Sequence, residues 1–133
     1  MRMLRFRSTD PQLSVVNISH LRRITSLSIA EIRTRAAAGA PLFEITPFQN
    51  SWQEDRHLLV HVAHEISTRS LPLTVTELCD KDESPISPAR LFHLIQQLRG
   101  IELQVERDTM LSLGEIGDPS EFSPASEDWT KQK

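Results

Sequence analysis

Apolar and polar positions alternate over Met3-Leu-Arg-Phe-Arg7 and again, more loosely, over residues 13–18, with Ser8-Thr-Asp-Pro11 between them. Period-two alternation suits a half-buried strand, and the polar, proline-bearing gap suits a turn. A strand over 3–7, a turn, and a second strand or lead-in segment over 13–18 are predicted. From about Ser19 to Thr25 the period changes. At ~100° per residue Leu21 and Ile24 share one face and Arg22 and Arg23 the other, which makes a short helix. Ser28-Ile-Ala-Glu31 then forms a capping box, opening a second helix with Ile29, Ile32 and Ala36 on its apolar face. Gly39 tolerates the left-handed backbone of a helix end and Pro41 prevents continuation, so two short helices form a hairpin.

Leu42-Phe-Glu-Ile-Thr46 reads as a strand ended by Pro47, with Asn50 or Ser51 opening the next helix and Ser51-Trp-Gln-Glu54 as a second capping box. Over about Trp52 to Thr68, Trp52, Leu59, Val62, Ala63 and Ile66 make one apolar stripe, with His57, His61 and His64 opposite. Leu71 to Leu78 is rich in β-branched residues and reads as a strand. Cys79 to Ser87 reads as a polar connection, and Ser87-Pro88 as a helix start, with Leu91, Leu94, Ile95 and Leu98 inward and Gly100 as the stop. Ile101-Glu-Leu-Gln-Val-Glu106 alternates strictly, which predicts a strand turned at Asp108-Thr109 into a second strand through Leu113.

The run Leu21-Arg-Arg-Ile-Thr-Ser-Leu-Ser-Ile-Ala-Glu-Ile-Arg33, followed by Gly39-Ala-Pro41, resembles the helical hairpin of the C-terminal domain of the bacterial ribosomal stalk protein. That family folds as βααβαβ, and the element order from about Leu13 to Leu78 looks the same. The resemblance covers about half the chain. It implies an α+β fold with a βααβαβ core, here carrying a C-terminal helix and β-hairpin extension. It also implies a factor-binding surface on the hairpin. Ser26 stands where the family has glycine, Ala30 where it has a lysine tied to factor binding, and one extra residue precedes Gly39. A relative or analogue of the fold is therefore expected, not a stalk subunit.

The 133 residues and 15.2 kDa suit one domain. Its expected extent is 1–114, with the core over about 13–78, the extension over about 87–114, and an acidic tail over 115–133 with too little apolar surface to stay ordered unaided. Charge is uneven: residues 1–40 carry a local balance of +5, residues 111–133 one of −3, and the whole chain −3. An acidic total argues against nucleic acid as the main partner. Cys79 is the single cysteine, which rules out an internal disulfide and suits a reducing compartment. With no run of ~20 apolar residues and no signal peptide, a cytoplasmic protein with no membrane partner is expected.

Candidate chemistry is sparse. His57, His61 and His64 have i, i+4, i+7 spacing and His-x3-His can bind zinc, but nothing nearby completes a closed site, so a solvated or partner-facing role is the reading for these residues, with Glu54 and Glu65 beside them. Cys79 and the serines carry no nucleophile motif, and the glycines are explained as stops and turns. Arg22, Arg23, Arg33 and Arg35 can pair with carboxylates or phosphates. The sequence thus predicts no catalytic residue, no metal site and no cofactor, and a protein partner met by the arginine hairpin and the histidine face. The expected function is a non-catalytic protein-binding module, most concretely an immunity protein that neutralises a toxin by stoichiometric binding. The alternatives are a ribosome- or translation-associated adaptor and a metal-binding enzyme or sensor using the histidine face.

Overall fold

The computed structural model describes residues 2–49, 51–125 and 127–130. Asn50, one of the two residues expected to open the third helix, lies outside them, as do 131–133 of the tail. The element order is β1 (Arg2–Ser8), α1 (Val15–Ile24), α2 (Ile29–Ala38), β2 (Phe43–Ile45), α3 (Trp52–Ser67), β3 (Leu73–Cys79), β4 (Asp82–Ile86) and α4 (Pro88–Leu113). A short 3-10 turn, Pro119–Glu121, follows. The strands form one antiparallel sheet in the order β2-β1-β3-β4. The α+β class read from the sequence is therefore correct.

Alternation along β1 divides the sheet into two faces. Leu4 and Phe6 are fully buried beneath the helices with Ile45, Leu73 and Val75, and Phe6 stacks on Phe43 at 4.5 Å between centroids. Arg5 and Arg7 point to the other face, where they meet Glu44, Thr76 and Glu83 in the open. Helix stripes close the core from one side: Ile18 and Leu21 of α1, Ile32 and Ala36 of α2, Leu59, Val62 and Ala63 of α3, and Leu91, Leu94, Ile95 and Leu98 of α4.

The hairpin punctuation is realised in full. Ser28 and Glu31 make the reciprocal capping box, and Gly39 ends α2 with φ of 68°. Four expectations are corrected. Residues 15–18 are helix, not strand, because the Ser14 hydroxyl accepts the Asn17 N–H at 3.2 Å and caps α1 early. Ser51 makes no side-chain cap: its backbone, at φ −86° and ψ 42°, is not in the extended conformation that aims a hydroxyl at the helix. The polar connection after Cys79 holds β4, paired to β3 through a tight turn in which Asp80 adopts φ of 57°. Pro85 is tolerated because β4 is an edge strand.

The largest correction concerns the extension. Gly100 does not stop α4, and the predicted β-hairpin over 101–113 is the second half of one 26-residue helix closed by Gly114 at φ of 75°. A glycine inside a helix costs only about 1 kcal/mol. In helical register Glu102 continues the inward stripe of Leu91, Ile95 and Leu98, and the tail supplies what that stripe needs. Trp129, in the segment after α4, is 2% exposed.

Candidate partner-binding surfaces

Arg22 and Arg23, in the last turn of α1, and Arg33 on α2 are exposed. Arg35 is half-buried and works internally: its Nη1 donates to the Leu42 carbonyl at 3.1 Å, pinning the hairpin to the start of β2. Arg35 and Glu54 do come together, on the wall of a groove of about 490 Å³ that also includes Leu27, Leu42, Asp55 and Leu58. Burial, and then the neighbouring Glu54, push the Asp55 carboxyl up from its ordinary value.

The histidine face is divided. His57 and His64 are exposed, while His61 is half-buried and faces His20 of α1, their Nε2 atoms 3.0 Å apart. Glu65, one turn after His61, acts on His20 through its charge. Among the described residues no three His, Cys, Asp or Glu side chains converge as a metal site, so His57, His61 and His64 do not form one. His20 was invisible to helix-by-helix reading, since its partner lies 41 residues away.

A second assembly, which the sequence reading missed, surrounds Glu102. Its carboxylate accepts the Trp52 indole N–H at 3.0 Å, Arg56 at 3.0 Å and the Trp129 indole N–H, and lies 3.6 Å from Arg99. Trp52 and Trp129 meet edge to face at 5.6 Å, and the Arg56 guanidinium lies 5.9 Å from the centre of the Trp129 ring. Side-chain exposure is 14% for both Arg56 and Glu102 and 8% for Arg99, so the charges are largely desolvated and depend on one another. The available signal was a carboxylate on the inward stripe of α4, hidden while residues 101–106 read as a strand.

Beside this cluster runs a groove of about 450 Å³ lined by Phe48, Arg56, Ile101, Glu102, Val105 and Glu106. Phe48, Ile101 and Val105 are 46%, 46% and 60% exposed. Phe48 sits at φ of 64°, a costly conformation for a bulky residue, with its ring edge-on to Trp52 at 5.4 Å. The groove's charged lining is Arg56 against Glu102 and Glu106, and along the sequence residues 101–130 carry eight carboxylates against a single guanidinium, Arg107.

Fold and surface together define a two-layer α+β domain with an exposed apolar groove on α4. No described helix is long and apolar enough to cross a membrane. No family model, curated protein or solved structure matches the chain.

Proposed function

We propose that this chain is a non-catalytic protein-binding module that takes a basic protein surface presenting an apolar side chain, most concretely as a cytoplasmic immunity protein that neutralises a toxin. The observation that supports this reading is the groove of Phe48, Ile101 and Val105, lined also by Glu102 and Glu106, on a segment of the chain, 101–130, with an excess of carboxylates. Interfaces concentrate their energy in a central apolar and aromatic patch, while a one-signed rim steers the oppositely charged partner and rejects others. An exposed, lone Cys79 suits a reducing compartment.

The test is affinity purification of the tagged chain from its host, then reconstitution of the complex from the purified partner. The expected result is a single basic partner that binds one to one, loses at least tenfold in affinity to Val105→Asp, and weakens as salt rises. A toxin as that partner would be silenced by wild-type chain and not by the variant. Equal binding by wild type and Val105→Asp would remove the groove from the reading. The competing adaptor reading rests on the exposed Arg22, Arg23 and Arg33; co-sedimentation with ribosomes, lost on Arg22→Glu with Arg33→Glu, would replace the immunity proposal.

A further inference from the structure

Two imidazoles meet half-buried between α1 and α3. The Nε2 atoms of His20 and His61 are 3.0 Å apart, with ring centroids 5.3 Å apart and planes tilted by 56°. As a hydrogen bond this contact requires one ring to donate and the other to accept. The same juxtaposition is close to one edge of a metal coordination shell. Zinc–nitrogen bonds of about 2.0–2.1 Å put two ligands of a tetrahedral ion about 3.3 Å apart. A separation a few tenths of an ångström wider than the one observed would admit the ion in place of the shared proton.

We infer that His20 and His61 form a two-nitrogen chelate for a divalent transition-metal ion of the zinc, nickel or copper class, with water completing the shell. Imidazole is a preferred donor for these ions. Glu65, whose charge reaches His20, offsets part of the charge an ion brings, against the opposing Arg23. Ligands drawn from two helices make the chelate depend on the folded packing of α1 on α3, unlike the His-x3-His spacing within α3. Neither histidine lines the apolar groove, so this site stands apart from the protein-binding proposal.

The experiment is titration of zinc chloride into the full chain at pH 7.5, followed by the imidazole nitrogen signals of the wild-type protein. Signals of His20 and His61 should move together, ahead of those of the exposed His57 and His64. His20→Gln or His61→Gln should weaken zinc binding at least tenfold, whereas His57→Gln with His64→Gln should change it less than twofold. Lowering the pH to 5.5 should weaken wild-type binding, as protons compete for the nitrogens. First movement at His57 or His64, or undiminished binding by His20→Gln, would mean adventitious surface binding only and overturn the site. The wild-type signals decide the matter even if a variant fails to fold.

Discussion

Glu83 and Glu102 each gather several partners, yet they do so in different solvents. On the open face of the sheet Glu83 takes Arg7 at 2.6 Å, Thr76 at 2.6 Å and Arg5 at 3.4 Å, with its side chain 31% exposed. Beneath the returning tail, Glu102 takes two indoles and two guanidiniums with 14% of its side chain exposed. Water can replace any partner lost from Glu83. It cannot readily replace those of Glu102, where each lost contact leaves a desolvated charge or donor behind. A contact inventory alone would rank the two alike; burial separates them. The two also join different things: Glu83 ties β4 to β3 and, across it, to β1 within a sheet whose ladders already hold these strands together, whereas Glu102 ties α3, α4 and the tail, which share no backbone ladder.

Removing Glu102 is therefore the severest break. Glu102→Ala leaves Arg56 and Arg99 without their shared carboxylate and frees two indole N–H groups, and should cost about 3–5 kcal/mol of unfolding free energy, read by urea denaturation at neutral pH. Trp129→Ala should fall in a similar range, because it empties a buried indole site. The double variant should cost clearly less than the sum of the two, since both act on one cluster. A loss below about 1 kcal/mol for Glu102→Ala would mean that water fills the site and that the contrast with Glu83 does not hold.

The same contrast explains what could be read in advance. Ser28, Glu31 and Gly39 act within a few residues of themselves, so the hairpin of α1 and α2 was legible from punctuation, as was the apolar stripe of α3. The C-terminal half was misread because its local signals are ambiguous: Ile101-Glu-Leu-Gln-Val-Glu106 alternates like a strand, yet places Glu102 and Glu106 one helical turn apart. The decision between strand and helix rests with Trp52, Arg56 and Trp129, which lie far along the chain. The site residues divide in the same way. Exposed charges such as Arg22, Arg33, His57 and His64 were visible in the sequence, whereas the turning of His61 toward His20 and of Arg35 toward Leu42 is tertiary.

Gly100 gives that argument a sharper and smaller test. It lies inside α4, and a methyl group added there would meet nothing within 4 Å. Gly100→Ala should raise stability by about 0.5–1 kcal/mol, because alanine loses less conformational freedom than glycine in a helix. If Gly100 instead ended a helix in the left-handed conformation, as its sequence context suggests, the same substitution would destabilise the chain. Thermal unfolding of the single variant separates the two signs.

The smallest effect belongs to Glu83, and its sign follows from its surroundings. Hydrogen bonds from Thr76 and then Arg7 hold its carboxyl below the ordinary 4.5, aided by the charges of Arg7 and Arg5. A carboxyl lowered on folding contributes stability that is present above its unfolded value and is lost as pH falls through the lower folded one. Glu83→Gln should therefore shift the urea midpoint slightly downward at pH 7, less so in high salt, and progressively less as the pH falls below the ordinary carboxylate range and the Glu83 carboxyl takes up its proton. Solvent on the open face keeps this shift well below that of Glu102→Ala. A midpoint loss that matched Glu102→Ala, or that did not shrink as the pH was lowered, would show that something other than burial sets these two carboxylates apart.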